Sequence, residues 1–247
     1  MAVASPHRPR RVVHLAWRAL LLLIVCGASL QLFWLLRIAL MVVVDPQSTS
    51  FQRSELWRLA RQGLPVAWSQ EWADADRLSV QLKRAVIASE DAGFTEHRGV
   101  EWDAVEQAWT RNQRSQSRAS AKRPPKLVGG STITQQLAKN LFLSGERTLP
   151  RKAQELVITL ALETLLSKQR ILEIYLNQVE WGEGLFGAQA AARYYFARDA
   201  SRLDAASAAR LAVILPAPKR FERQMSSAYV SGRAATIQAR MAAVELP

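Results

Sequence analysis

Hydrophobic and polar positions divide this chain into one long apolar run and a series of amphipathic segments. Ala19–Leu36 carries no charge, with Ser29 and Gln31 as its polar interruptions, and Ile38–Val44 resumes the run after Arg37. About 20 apolar residues cross a bilayer as a helix. The pattern therefore predicts one transmembrane anchor over residues 19–44, with the Arg37 side chain reaching back to an interface. Arg8, Arg10, Arg11 and Arg18 precede it in a basic flank, residues 1–18. A flank of that sign keeps the N-terminus cytoplasmic and sends residues 45–247 across the membrane. The rival is a cleaved signal peptide, but the run is too long and no Ala-x-Ala site follows it. Val25, just before Cys26, is bulkier than a lipoprotein cleavage site accepts.

Beyond Asp45-Pro46 the periodicity becomes helical. Trp57, Leu64, Val66, Trp68 and Trp72 form an aromatic-rich approach that either packs on the domain or lies at the membrane interface. Leu78, Leu82, Val86 and Ile87 recur at helical spacing and lead into Glu90. Trp102, Val105, Glu106 and Trp109 share one face of a second, short amphipathic helix. Residues 111–126 hold six cations and no acid, which reads as a loop: either plainly solvated, or a tether to lipid headgroups or a substrate diphosphate. Further helices are expected over Leu137–Leu143, Ala153–Leu166 after Pro150, Ile171–Val179, and Ala188–Phe196 after Gly182, Gly184 and Gly187. A last one, Asp204–Leu215, is stopped by Pro216-Ala217-Pro218. No alternating run is long enough for a strand and nothing repeats, so residues 45–247 read as one mainly α domain.

Charge narrows the partners. The chain has 33 Lys and Arg against 21 Asp and Glu, a formal net charge of +12. The first 44 residues hold five arginines and no acid, so the remaining 28 cations still outnumber all 21 acids. A basic body suits nucleic acid, anionic headgroups or an anionic substrate. No zinc-ligand cluster, RNP motif or helix-turn-helix pattern supports nucleic acid. The single Cys26 excludes an intrachain disulfide framework and metal–thiolate chemistry.

Two blocks carry candidate chemistry. Glu90 follows apolar turns, with Val86 one turn before and Phe94 one turn after. Partial burial there raises a carboxylate's pKa toward values useful for proton transfer, although a surface acid is the plainer reading of Glu90 alone. Asp91 points elsewhere and suits holding the loop, and His97 near Gly99 can orient a carboxylate. The second block, Gly129–Gln136, offers backbone donors and hydroxyls and opens a helix bearing Lys139 and Asn140. Arg147, Arg151 and Lys152 follow within a dozen residues. A helix N-terminus with nearby Lys and Arg attracts phosphates. Glu155 lies one turn after Arg151, as a simple ion pair or as an organiser of metal or diphosphate.

Together these blocks resemble the monofunctional biosynthetic peptidoglycan transglycosylases (glycosyltransferase family 51), over roughly residues 75–220. Glu90-Asp91-x-x-Phe94-x-x-His97-x-Gly99 is similar to the family's first motif. Gly129–Asn140, which includes Ser131, Thr132, Gln135 and Gln136, is similar to the second. Arg151-Lys152-x-x-Glu155 resembles the third, Lys168 to Asn177 the fourth, and Gly187 to Tyr195-Phe196 the fifth. Ser207-Ala208-Ala209 departs from the usual Glu-Ala-Ala, and the basic tract before the second motif is longer and richer in Arg.

The resemblance implies a mainly α, lysozyme-like helical lobe with a smaller membrane-facing jaw, preceded by one N-terminal transmembrane helix. It implies Glu90 as general base and Glu155 as second essential carboxylate. Asp91, Phe94, His97, Ser131, Thr132, Gln135, Gln136, Lys139, Asn140, Arg147, Arg151 and Lys152 would bind substrate. It also implies a divalent cation (Mg or Mn) at Glu155 and no organic cofactor. Lipid II and a growing lipid-linked glycan would be the substrates at the bacterial inner membrane, with a periplasmic catalytic domain. Cell-wall synthesis or division proteins would be partners. No Ser-x-x-Lys or Lys-Thr-Gly occurs, so no transpeptidase activity is expected. A glycan-cleaving hydrolase and a non-catalytic assembly scaffold are the alternatives. A hydrolase has no diphosphate for the cations to stabilise.

Overall fold

The computed structural model describes residues 8–63, 68–118, 129–146 and 148–247, with side chains from Val13 onward. Helix α1 (Arg8–Leu40) comes first, and its stretch Val13–Leu40 is long and apolar enough to cross a membrane. Most of the helices that follow open on side chains that satisfy free N–H groups. Thr49 and Gln52 form a capping box at α2 (Ser50–Arg61), and Ser79 caps α3 (Val80–Glu90). Thr132 and Gln135 form a second box at α5 (Ile133–Phe142), which follows α4 (Trp102–Ser117). Thr148 caps α6 (Leu149–Leu165), where Pro150 sits harmlessly in the first turn. Ser167 caps α7 (Lys168–Gln178), and after α8 (Ala188–Phe196) Asp204 caps α9 (Ala205–Ile214). A short α10 (Pro218–Phe221) leads to α11 (Ala228–Met241), capped by Ser227. Helices α4, α8 and α10 have no such side-chain cap.

The core forms where α3 packs on α9 and α11, and where α5 packs on α2, α6 and α7. Trp181, Tyr175, Phe94 and Phe186 are fully buried there. A small sheet closes one end: β1 (Ser69–Gln70) runs parallel to β3 (Leu185–Phe186), and β2 (Glu180–Gly182) runs antiparallel to it. Beside it the Asn177 side chain pairs with both backbone groups of Ala73, accepting from its N–H and donating to its carbonyl, each at 2.8 Å.

Several expectations shift. Residues 111–117 are not loop but the last turns of α4. Their Arg, Gln and Ser residues tolerate a helix, and Arg111 donates back to Gln107 one turn earlier. Residues 119–126 of that basic tract lie outside the described residues. The α5 helix starts at Ile133 rather than Leu137, because the Thr132–Gln135 box satisfies its first donors. Three short strands exist where none was expected, since two or three residues cannot show alternation. In the aromatic approach, Trp68 stacks near Phe186 with ring centroids 4.7 Å apart, and Trp72 packs on the core. Trp57 stays exposed beneath Arg61, and Leu64 and Val66 lie outside the described residues.

A charged knot holds α2 to the sheet. Glu55 accepts from Arg58 and from Lys219, whose ammonium lies 3.5 Å from the buried Glu180 carboxylate. Burial, opposed by Lys219 and reinforced by Glu55, pushes the Glu180 pKa to about 7, as desolvation does for any carboxyl. A carboxyl raised in the folded state contributes stability below its unfolded pKa and loses it as pH rises through the folded value. Glu180→Gln is therefore expected to flatten the fall in thermal midpoint between about pH 5 and pH 8. Parallel profiles for variant and parent in calorimetry would refute this.

Candidate active site

Glu90 is the last residue of α3, and the chain turns sharply at Asp91, where φ is −163° and ψ 73°. The Asp91 side chain is buried and ties two elements together. Its Oδ1 lies 2.7 Å from His97 Nε2, and its Oδ2 accepts from the Ile133 N–H at 2.9 Å. That N–H stands at the positive end of the α5 dipole. His97 Nδ1 accepts from the Gly99 N–H at 3.1 Å, so the ring proton sits on Nε2 and is donated to Asp91. The Gly99 carbonyl in turn accepts from the Thr132 hydroxyl at 2.6 Å. Gly99 adopts φ +84°, and a Cβ there would lie 2.7 Å from Thr159 and 2.8 Å from Glu163. Only glycine fits such a position. Phe94 is fully buried beneath the Lys168 ammonium, 4.5 Å from the ring centroid, in a cation–π contact.

These bonds fix Glu90 against α5. Gln136 Nε2 donates to Glu90 Oε2 at 2.9 Å, and Gln136 Oε1 accepts from the Tyr175 hydroxyl at 3.0 Å. The tyrosine thereby sets which end of the amide faces Glu90. Burial raises the Glu90 pKa; the hydrogen bonds from Gln136 and Ser89 act against it, Asp91 adds to it, and Arg233 on α11 opposes it. Desolvation wins because it penalises only the charged form. The Tyr175 hydroxyl is held far above its ordinary value by burial, so it stays a donor.

Glu90 opens onto a cleft of about 620 Å³. Gly129, Ser131, Gln135, Gln136 and Lys139 line one wall, and Arg151, Lys152 and Glu155 of α6 line another. Glu155 is buried; Arg151 donates to one of its oxygens at 2.8 Å and Lys152 to the other. Among the described residues, Arg151 Nε is buried without a hydrogen-bond partner. One net positive charge thus survives in that triad, beside Lys139. A second cavity of about 200 Å³ shares Lys139 and Arg151 with the cleft and is lined by Asn140, Phe51 and Glu146.

The sequence-selected residues therefore divide. Glu90, Ser131, Gln135, Gln136, Lys139, Arg151, Lys152 and Glu155 meet in one cleft, and Asn140 faces the neighbouring cavity. Asp91, Phe94, His97 and Thr132 lie behind the wall, where they hold Glu90 and the start of α5 rather than lining the cavity. Arg147 lies outside the described residues. Sequence reasoning passed over Tyr175, Ser89, Arg233 and the Leu215-Pro216 rim. Among these, Tyr175 belongs to the fourth motif and was the one with a signal to find it.

Ligand-type side chains near the cleft are already engaged. Asp91, His97 and Glu101 are close enough to share an ion, but both His97 nitrogens are spent on Asp91 and Gly99. Glu155 has one oxygen taken by Arg151 and the other by Lys152, so a divalent ion there would have to displace one of these cations.

Comparison with known proteins gives one answer. The family model described as Transglycosylase matches residues 60–242. The chain is similar to a biosynthetic peptidoglycan transglycosylase of Burkholderia orbicola (strain MC0-3), with 50% identity over 100% of this chain and 98% of that protein. A protein of the same description from Paraburkholderia phytofirmans is 51% identical, over 96% of this chain and 91% of its own length. Another, from Bordetella pertussis, is 48% identical over 93% of each. By the extent of these matches, laid over the cleft that its own residues build, the chain belongs to the transglycosylase family.

Proposed function

We propose that this protein is a monofunctional glycosyltransferase that polymerises peptidoglycan glycan strands from lipid II. The observation that carries the mechanism is one cleft shared by a half-buried carboxylate of raised pKa and a cationic wall. Glu90 removes the proton from the acceptor sugar's 4-hydroxyl as that oxygen bonds to the donor's anomeric carbon. The bond from that carbon to the lipid diphosphate breaks, and the leaving anion is met by Lys139, Arg151 and Lys152, whose charges are in place before it forms. In-line displacement without a covalent intermediate inverts the anomeric carbon and gives a β-1,4 linkage. Gln136, clamped by Tyr175, keeps one Glu90 oxygen occupied and directs the other to the acceptor.

Glu155 holds Arg151 and Lys152 in place. A Mg or Mn ion bound there would supply further positive charge beside the diphosphate. The basic flank before α1 favours a cytoplasmic N-terminus, which puts the catalytic domain on the periplasmic face of the inner membrane. Trp102 and Trp109 on α4 are exposed and suit a jaw that rests on the bilayer. A glycan hydrolase would have no use for the cation wall, because cleavage of a neutral glycosidic bond releases no diphosphate.

Purified full-length protein given lipid-linked disaccharide-pentapeptide should make polymer that lysozyme digests; no polymer under any condition would overturn the proposal. Glu90→Gln is expected to lower the rate by roughly 10²-fold or more, with membrane insertion and circular dichroism unchanged. Full activity would remove Glu90 from the role of base. Gln136→Leu deletes a hydrogen bond that favours ionised Glu90, so the acid limb of kcat/KM against pH should move to higher pH. An unmoved or acid-shifted limb would contradict the assignment. Lys139→Ala is expected to cost roughly 10²-fold in kcat/KM for the diphosphate-linked donor; unaltered kinetics would show that Lys139 does not meet the leaving group.

A further inference from the structure

One border of the cleft has no part in the reaction above. Ser89, Leu215 and Pro216 line it beside Glu90, and the chain runs on from Pro216 into α10, which carries Arg220 and Phe221. Helix α11 packs on α3 and α9, with Val230, Ala234, Ile237 and Met241 as its buried stripe. Tyr229 and Arg233, one turn apart on the same helix, are exposed. The Tyr229 ring stacks on Phe221, with centroids 5.5 Å apart and planes 11° from parallel. Phe221 is half-buried against the core, so the stack is held in place although Tyr229 is 63% exposed. Arg220 lies over the Phe221 ring, 5.3 Å from its centroid, in a cation–π contact. Arg233 is near enough to Glu90 to favour its charged form. An exposed platform therefore leads away from the acid–base end of the cleft.

Its charge selects the occupant. Residues 216–247 hold five cations and two acids. Glu222 accepts from the Glu183 N–H and Lys219 is spent on Glu55. Among the described residues, Arg220 and Arg233 form no ion pair, and the exposed Arg223 reaches only Glu222, at 3.8 Å. A neutral sugar ring would use the aromatic faces and none of this charge. A peptide with free carboxylates uses both, since guanidinium binds carboxylate through paired hydrogen bonds and aromatic faces take up aliphatic stems. In-line displacement adds the direction. The acceptor lies across the donor's anomeric carbon from the departing diphosphate, which goes to Lys139, Arg151 and Lys152. The acceptor therefore sits at the Glu90 end, where the platform begins. A fully extended pentapeptide spans at most about 17 Å, and Tyr229 is about 6 Å from Arg233 along α11, so a peptide branching from the acceptor's disaccharide reaches both.

We infer that Arg220, Phe221, Tyr229 and Arg233 form a subsite for the anionic peptide of the acceptor lipid II. The arginines take its carboxylates and the stacked rings take its side chains, so the peptide orients the disaccharide whose 4-hydroxyl meets Glu90. The identity of this ligand rests on the polymerase activity proposed above; the platform itself rests on the packing of α10 and α11.

The test uses full-length protein, with a pre-formed lipid-linked oligomer as donor and lipid II as the varied acceptor. Tyr229→Ala and Arg220→Gln should each raise the acceptor KM about three-fold, and the pair about ten-fold, with kcat unchanged. With a lipid-linked disaccharide that lacks its peptide, parent and variants should share one raised KM. A shift that persists with the peptide-free acceptor, as a folding defect would give, or no shift with the complete one, would overturn the subsite. Direct capture needs no turnover. Glu90→Gln protein is mixed with lipid II that carries a diazirine in its pentapeptide, and light should attach it within residues 218–233. Arg220→Gln/Arg233→Gln in that background should weaken the capture. Attachment confined to other helices would also overturn the subsite. Attachment at 218–233 in a protein whose parent makes no polymer would sink the catalytic proposal and leave the peptide site standing.

Discussion

The buried Asp91 carboxylate is the constraint on which the site depends. One oxygen accepts a hydrogen bond from His97 Nε2 and the other accepts from the first N–H of α5. A single side chain therefore fixes the end of the helix that carries Glu90 relative to the start of the helix that carries Gln136 and Lys139. Buried anions persist only where hydrogen bonds replace water. Asp91 has those bonds on both oxygens, the second from a helix N-terminus whose dipole favours the charge. Around it, Thr132 bonded to Gly99 and Lys168 over Phe94 brace the same turn. The chemistry proposed for Glu90 is thus delivered by neighbours that never face the cleft.

The sequence shows the helical domain, the anchor and the cleft residues with unequal clarity. Helices α7 to α9 are legible because their periodicity is strong and Ser167, Asp204 and Pro216 mark their ends, as capping residues and prolines generally do. Glu90 and the Gly129–Asn140 block stand out as motifs, and the two do meet. Which residues face the cavity is a different matter. Asp91, His97 and Thr132 lie in the same motifs as Glu90 and Gln136, and motif membership does not distinguish a side chain that touches substrate from one that positions it. Tyr175 reaches Gln136 from a helix that starts well beyond it in the chain, and the Gln31–Gln154 contact joins positions 123 residues apart. Such pairings are set by tertiary packing, so local pattern cannot contain them. The extension of α4 through residues 111–117 was hidden for a different reason: high charge resembles a solvated loop whenever a helix has no core to pack against.

That last helix has a consequence for how the cleft behaves. The inner side of α4 approaches the body where Gly130 admits it, and a Cβ on Gly130 would stand only 3.0 Å from the Ala104 carbonyl. Ala108 is the buried residue of α4, while α3, α9 and α11 interlock through many. Local opening follows buried contact area, and among the described residues α4 has little of it, whereas the floor bearing Glu90 is closely packed. Because Gly130 joins the two cleft-lining residues Gly129 and Ser131, movement of α4 would reshape one wall of the cavity and leave its acid–base centre untouched. The cleft thus pairs a rigid centre for bond making with one yielding side.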